Sequence, residues 1–330
     1  MPRGGGSPEE ARDNFGEDPF EVKNILKYWI FSERQEFNVI PTDTINIHID
    51  KDALLRSGIM LPEAIRHLKG EELKDAIPDK LYIPLKDIRM LNKVDLLMLE
   101  ILANCYWERP LYFAISVGSV SKLKFDNYFV QEGLAFRFTP FDYKKWGDVG
   151  ENRLYAVDVE RLYDNVMNRY KYGGLDTPGL YLDETTLRTC WYHRRLFAQL
   201  AKELIAQGDN ERAKKVLAYA EQVIPGYNVP ETYESGSYSI ATAYAALGEK
   251  MKAITLTEHL IAEAEDYINW AFSLKGNRIE MVRNDCIYKF WQWNQCNELL
   301  KKVDEESYKE SNRRFEDKYA LFAPNMGYKN

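Results

Sequence analysis

ILANCYWERPLYFAISVGSV, the stretch from Ile101 to Val120, decides the fold class, because its length and apolar character match those of a membrane span. A transmembrane helix needs about 20 largely uncharged apolar residues. Here Glu108, Arg109 and Pro110 lie at the centre, and each charge at a bilayer midplane costs roughly 2.5–3.5 kcal/mol. Pro110 also lacks an amide donor and disfavours helix at the residue before it. The stretch therefore predicts two core elements of a water-soluble domain, joined by a sharp turn.

The first of these elements is a helix that begins before Ile101. Its apolar positions recur every three or four residues, which predicts one buried face: Val94, Leu97, Met98, Ile101, Leu102 and Cys105. Leu96 and Leu99 widen the apolar surface, so we expect other elements to pack against this helix on more than one side. The second element, Leu111 to Val117, is short, aromatic and β-branched and ends at Gly118. That pattern predicts a strand buried on both faces.

The bulk composition is that of an ordinary globular protein with room for two domains. The chain has 330 residues, of which 45% are hydrophobic and 29% charged. Its net charge of −7 argues against a nucleic-acid partner, because phosphate binding requires clustered Lys and Arg. The four cysteines form no CxxC pair, so we expect free thiols rather than a zinc or redox site.

The pattern of elements divides the chain into four parts. Strands and helices interleave first, and after YGGLDTPGLYLDE only long helical patterns follow, which predicts an α/β (or α+β) domain and then an all-α domain. The predicted parts are a disordered leader over 1–20, an α/β domain over 21–180, a helical domain over 181–304 and a charged tail over 305–330.

The helical domain has the pattern of tetratricopeptide-like repeats. FAQLAKELIAQGDNERAKKVLAYAEQVIP places Ala201 and Ala213 where two helices touch, with Gly208 at the turn. A weaker unit, IATAYAALGEKMKAITLTEHL, places Ala253 at 253 − 213 = 40 residues after Ala213, against a standard period of about 34. The extra residues fall in the connector GYNVPETYE. A capping helix is predicted from about Ile279 to Lys302.

Repeat proteins of this kind bind peptides on the face formed by the first helix of each unit. The candidate peptide-binding face consists of Arg195, Gln199 and Lys202 in the first unit and Tyr238, Ser239 and Thr242 in the second. The alternative is that two units are too few for a groove and serve only in packing. Both interpretations stay open at this point.

Two further features concern small ligands. Trp291 and Trp293 in WQWNQC are candidates for stacking on a sugar, although positions two apart point in different directions on a helix, so one of them is expected in the core. His259 and Glu263 have the i, i+4 spacing of metal ligands, but without further ligands they indicate a solvated helix face. GxSxG, HExxH and phosphate-loop motifs are absent from the sequence, so we predict no catalytic, metal or cofactor site in this chain.

Four motifs in order carry a family resemblance: KVDLLMLEILANCYWERPLYFAISVG, DNYFVQEGLAFRFTP, LYDNVMNRYKYGG and YLDETTLR. Together they resemble the C-terminal soluble part of a bacterial membrane-protein family that is named as a domain of unknown function. The N-terminal half of that family is a multi-span domain similar to protein O-mannosyltransferases. Its catalytic carboxylate lies in the membrane domain, so the resemblance transfers no catalytic residue to this chain.

The resemblance implies a non-catalytic periplasmic region, attached to the inner membrane through upstream spans. Its expected partners are an acceptor protein or peptide, or the membrane domain that it would brace. MPRGGGSPEE would then stand where the parent chain continues upstream. The alternatives are a free-standing tetratricopeptide adaptor, which would be cytoplasmic, and a glycan-binding module.

Overall fold

A computed structural model describes residues 18–31, 40, 42–88, 90–105, 107–117, 123, 125–150, 153–275 and 278–323. Two compact units divide the chain, Met1–Asp158 and Val159–Asn330. The predicted fold class, an α/β region followed by a helical region, is confirmed. The unit boundary precedes the predicted boundary near 180, because residues 159–180 pack with the helical unit. Most of the predicted disordered leader, 1–20, lies outside the described residues.

The first unit combines short helices with two small sheets. Its helices are α1 (Val22–Asn24, continued by the π-helical turn Ile25–Ile30), α2 (Lys51–Arg56), α3 (Gly70–Ala76) and α4 (Lys93–Asn104). Its strands are β1 (Thr44–His48), β2 (Lys80–Pro84), β3 (Tyr112–Ala114), β4 (Phe129–Gln131), β5 (Ala135–Phe138) and β6 (Ala156–Val157).

The alternating isoleucines of β1 face the core of this unit. β1 pairs antiparallel with β2, and Ile45 and Ile47 lie opposite Ile83 and Leu81; all four side chains are buried. The second sheet has the order β3-β5-β4-β6, with antiparallel pairs except for the parallel β4–β6 pair. Apolar residues at alternate positions of a strand lie on one face, which explains the packing of β1.

The helix predicted around Ile101 is present as α4, but it packs through a different face. Asn92 and Asp95 form a capping box at its start, each side chain accepting from the other's backbone amide at 2.8 Å. The buried side chains are Leu99, Leu102 and Ala103, together with Asp95.

The predicted buried face of α4 was therefore wrong in part. Val94, Leu97 and Ile101 are exposed, at 44%, 56% and 43%. The run is apolar almost all round the helix, so its periodicity does not determine which side packs on the core.

The predicted buried strand is instead an edge strand. β3 pairs only with β5 among the described strands, and Tyr112 and Ala114 are exposed. Phe113 turns inward and packs against Phe129, with ring centroids 4.9 Å apart. An antiparallel edge strand commonly has one wet face, so the prediction of burial on both faces was wrong. Gly118 lies outside the described residues.

The second unit is helical in all the elements that the structure describes there. They are α5 (Val159–Asp164, continued by the π-helical turn Asn165–Arg169), α6 (Glu184–Ala206), α7 (Asn210–Val223), α8 (Ser237–Ala246), α9 (Lys250–Ser273), α10 (Arg278–Met281), α11 (Arg283–Val303) and α12 (Glu305–Phe322). Across the described part of both units, no helix is long and apolar enough to span a bilayer.

Consecutive helices form two packed pairs, α6 with α7 and α8 with α9. Ala201 and Ala213 are fully buried where the first pair meets, and Ala241 and Ala253 are buried in the second. Small side chains let helix backbones approach closely, as the sequence pattern predicts. The assignment of these pairs to the tetratricopeptide class stays a prediction.

The predicted charged tail contains α12, which packs on α11, the helix at the place of the predicted capping helix. Asp304 joins the two helices and caps α12. Its carboxylate accepts from the Ser307 amide at 3.1 Å and lies 2.9 Å from the Lys250 ammonium.

Asp304→Asn is expected to remove an acid transition at the start of α12. The Lys250 ammonium and the Ser307 amide lower the pKa of Asp304 from 3.8 to about 2. A carboxyl whose pKa is lower in the folded state contributes stability above its ordinary pKa, and this contribution is lost as pH falls through about 2. In an NMR titration, the Ser307 amide should shift with a midpoint near that pH, and the shift should be absent in the Asn variant. A midpoint near 3.8 would contradict the capping role.

Candidate functional site

The turn Tyr233–Gly236, which leads into α8, is pressed against α6. Gly236 has a φ of +92°, a left-handed conformation that favours glycine. A Cβ atom on Gly236 would lie 2.8 Å from Cγ of Arg195. The guanidinium of Arg195 donates to the Glu234 carbonyl. The turn is therefore held in place by an exposed residue of α6.

The carboxylate of Glu234 is held by two side chains of α11. Gln292 Nε2 donates to Oε1 at 2.6 Å, and Lys289 Nζ lies 3.4 Å from the same oxygen. Lys289 also contacts Glu263 at 2.7 Å. Burial alone would raise the pKa of Glu234, but the hydrogen bonds from Gln292 and the Glu234 amide and the charge of Lys289 outweigh it and lower that pKa. Glu234 is therefore a fixed anion at neutral pH.

Four aromatic rings continue from this turn across α8 and α11, and we call them the aromatic strip: Tyr238, Tyr233, Trp291 and Tyr288. Tyr238 stacks on Tyr233 with centroids 5.0 Å apart, and Tyr233 meets Trp291 edge-on at 5.4 Å. Trp291 stacks on Tyr288 at 5.6 Å with 13° between the planes. Trp291 is 46% exposed and Tyr288 45% exposed. The strip thus presents rigid, half-exposed rings beside a fixed carboxylate.

The predicted residues of α6 lie along one side of this helix. Arg195 contacts the turn, as described above. Gln199 is half-buried and donates to the Glu203 carboxylate, and Lys202 is exposed. The spacing i, i+4, i+7 places the three side chains on one face, but only Arg195 has a described contact with the turn.

The predicted residues of α8 and α11 have different environments. Tyr238 is half-buried within the strip and donates to the Gln295 carbonyl at 3.2 Å. Ser239 and Thr242 are exposed. Trp291 is in the strip, whereas Trp293 is fully buried and donates to Ser311 Oγ at 2.8 Å. Trp293 is therefore a core residue that has no surface to offer a sugar.

Sequence reasoning missed the residues that connect these candidates: Tyr233, Glu234, Tyr288, Lys289 and Gln292. Tyr288 precedes Trp291 by three positions on a helix, a spacing that places two side chains on one face, so this partner had a signal. Tyr233 and Glu234 lie at the end of the connector, where no periodicity reveals them. In the structure, the end of the connector therefore lies at the centre of the candidate site.

Metal binding has no support among the residues that the structure describes. No group of three or more His, Cys, Asp and Glu side chains is placed to hold one. Glu263, which is spaced for joint ligation with His259, is instead paired with Lys289. The cysteines are free, as predicted, and burial raises the pKa of the Cys296 thiol to about 12.

The comparison with known families concerns the first unit. Residues 10–160, slightly less than half of the chain, match the family model described as TMEM260-associated domain 2. No curated protein and no solved structure matches the chain. The chain is therefore similar, over most of its first unit, to a domain associated with TMEM260. The match ends at residue 160, before the residues that form the aromatic strip.

Proposed function

We propose that the chain is a binding region of a glycosyltransferase-related protein, and that its helical unit holds the acceptor polypeptide along the aromatic strip. The match to TMEM260-associated domain 2 supports the enzyme class, because TMEM260 is a candidate O-mannosyltransferase. The observation that carries the binding role is the exposure of Tyr288 and Trp291 beside the ionised Glu234.

The strip suits an extended ligand better than a compact one. Tyr and Trp are enriched at the energetic centres of interfaces because they bury much apolar surface at little entropic cost. Polar groups border the rings, with Arg195 on α6 and the exposed Ser239 and Thr242 on α8. From Arg195 to Lys202, α6 extends the surface by about 10 Å at the rise of an α-helix. An unfolded segment rich in Ser and Thr, the acceptor chemistry of O-glycosylation, fits such a surface.

Trp291→Ala combined with Tyr288→Ala is expected to weaken peptide binding by at least about tenfold, since truncating a hot-spot aromatic residue costs roughly 2 kcal/mol or more. Fluorescence anisotropy with labelled synthetic peptides rich in Ser and Thr measures the effect. Trp270→Ala is the matched control, because Trp270 is 50% exposed and lies on α9 outside the strip. Absence of peptide binding, or equal binding by the double variant, would contradict the proposal.

A second ligand class has one specific observation in its favour. The nearly parallel, half-exposed rings of Tyr288 and Trp291 resemble a stacking platform for a sugar ring. Titration with mannosides, followed by tryptophan fluorescence, separates the two functions. Quenching that is lost in Trp291→Ala, without any peptide binding, would make the strip a glycan-binding surface.

The location and attachment of this region are part of the same proposal. The resemblance of the motifs supports a periplasmic region that follows a membrane domain and either binds its acceptor or braces its outer face. The rival is a free-standing adaptor in the cytoplasm. An upstream reading frame that encodes many hydrophobic spans would support the first; an upstream frame without spans would support the second.

A further inference from the structure

The motif LYDNVMNRYKYGG forms one side of an open cleft in the helical unit, separate from the aromatic strip. The cleft has a volume of about 510 Å³, within the range of small-molecule sites. Its main side chains come from this motif, from the loop after it and from α7: Asn168, Tyr170, Lys171, Tyr172, Asp176 and Tyr219. The backbone of Gly173 and Gly174 and the apolar side chains of Met167 and Val223 complete the lining.

The aromatic wall of the cleft is held rigid from behind. Tyr172 packs against His193 and Phe197, which do not line the cleft, with ring centroids 5.4 and 5.6 Å away. It also packs against Tyr219, which lines the cleft with it, at 6.0 Å. Its hydroxyl donates to the Val166 carbonyl at 2.7 Å. Burial lowers the pKa of His193 below its ordinary value, so the support behind the wall is uncharged at neutral pH. The ring faces are thus fixed before any ligand arrives.

The loop that forms the rim is tied down by the connector before α8. Asn228 Nδ2 donates to the carbonyls of Leu175 and Thr177 at 2.7 and 2.6 Å, and the hydroxyl of Tyr227 donates to the Asp176 carbonyl at 2.6 Å. Three successive carbonyls therefore have donors from one segment. Such bracing preorganises a site, which reduces the entropy lost when a ligand binds.

The polar groups of the rim are available to a ligand. Among the described residues, neither the Lys171 ammonium nor the Asp176 carboxylate makes an ion pair, and the Tyr219 hydroxyl has no hydrogen-bond partner. Gly173 and Gly174 have φ of +61° and +74°, a backbone that glycine adopts readily, and a Cβ atom on Gly173 would meet nothing within 4 Å. The rim therefore has open space next to Gly173, and it carries one positive side chain, Lys171, and one negative side chain, Asp176.

From these features we infer that the cleft binds a neutral saccharide. Aromatic faces accept the C–H face of a pyranose ring, and ammonium, carboxylate and phenol groups bind its hydroxyls. The balanced charges do not select an anion or a cation, and the polar rim does not suit a purely apolar ligand. The site goes beyond the proposed function, which supplies only the choice of mannosides as the first probe.

The test is an NMR titration of the full chain with methyl mannoside, methyl glucoside and methyl galactoside. The amides of Gly173 and Gly174 should shift with at least one hexoside in the millimolar range. Asp176→Ala and Tyr219→Phe, which keeps the ring, should each weaken the binding several-fold, and Tyr219→Ala should weaken it by about tenfold or more. Tyr181→Ala is the matched control, because Tyr181 is 87% exposed and does not line the cleft.

Three outcomes would overturn the inference. They are an absence of shifts at Gly173 and Gly174 with every hexoside, shifts that Asp176→Ala and Tyr219→Phe leave unchanged, and shifts produced by Ser- and Thr-rich peptides instead of hexosides. The proposed function fails separately, because it depends on peptide binding that is sensitive to Trp291. Peptide binding at the strip without hexoside binding at the cleft would therefore contradict only the inference about the cleft.

Discussion

Trp293→Ala is expected to lower the free energy of unfolding of the helical unit by about 3–5 kcal/mol, the range for truncating a buried aromatic residue. Trp293 is fully buried between α11 and α12, where its ring meets Phe315 edge-on at 5.7 Å. Its indole N–H donates to Ser311, which donates in turn to Asn297 at 2.6 Å. The substitution opens a cavity and also removes the donor to the buried Ser311 hydroxyl. Both effects weaken the packing of α12 on α11.

Trp291→Ala is the matched control for this prediction, since the same residue type is removed from the same helix two positions away. Because Trp291 is half-exposed, we expect a loss of less than about 1 kcal/mol. Urea unfolding followed by circular dichroism, with hydrogen exchange of the α12 amides, measures both variants. Equal effects of the two substitutions would contradict the assignment of Trp293 to the core and Trp291 to the surface.

Arg194→Met is expected to destabilise the helical unit by about 3 kcal/mol or more. Arg194 is 3% exposed, and its guanidinium donates to the carbonyls of Ile224, Val229 and Pro230 and to Ser235 Oγ, at distances from 2.6 to 3.2 Å. Burial lowers its pKa to about 10, so the group stays charged at neutral pH. Removing it leaves several buried acceptors without donors, at roughly 1–3 kcal/mol each.

Arg195→Met provides the control for Arg194→Met. Arg195 is exposed, and its aliphatic stem over Gly236 is retained by Met, so we expect a loss of less than about 1 kcal/mol. Arg194→Lys should fall between the two, because one ammonium does not reach all four acceptors. Denaturant unfolding and hydrogen exchange of residues 226–236 test the series. A small effect of Arg194→Met would show that Arg194 does not hold the connector.

The connector explains why these predictions bear on binding as well as stability. Arg194 binds the middle of the connector at Val229 and Pro230 and the flanking residues Ile224 and Ser235. Tyr227 and Asn228 brace the rim of the cleft, Tyr233 belongs to the strip, and Glu234 lies next to Tyr233. The connector therefore braces the rim of the cleft and also contributes Tyr233 to the strip. A substitution that weakens the contacts of the connector should therefore shift the NMR signals of the Gly173 and Gly174 amides and also those of the strip residues.

The local sequence pattern predicted an element correctly where it was compatible with only one arrangement. Ala201, Ala213 and Gly208 correctly located a pair of packed helices and its turn. The alternation of Ile45 and Ile47 is an equally local pattern, and both side chains are buried in β1. The buried face of α4 was not predictable in the same way. Leu97, Leu99 and their neighbours surround that helix with apolar side chains, so only tertiary packing selects Leu99 and exposes Leu97.

The candidate site was predictable where helical periodicity applies. Arg195 and Tyr238 were predicted on a binding face, and Trp291 was one of two tryptophans of which one was expected in the core. The structure brings Arg195, Tyr238 and Trp291 to one turn. The groups that join them, above all Glu234 and Lys289, depend on contacts between residues 55 positions apart. Arg194 gave no signal, because a buried arginine is recognised only from the carbonyls that surround it.

The most direct test of the central claim, that the aromatic strip binds a polypeptide, follows the indole N–H signals of the seven tryptophans during titration with a Ser- and Thr-rich peptide. The signal of Trp291 should shift, while those of Trp270, on another helix, and Trp293, in the core, should stay in place. A peptide that moves the Trp270 signal and leaves that of Trp291 unchanged, or that moves none of the seven, would contradict the account.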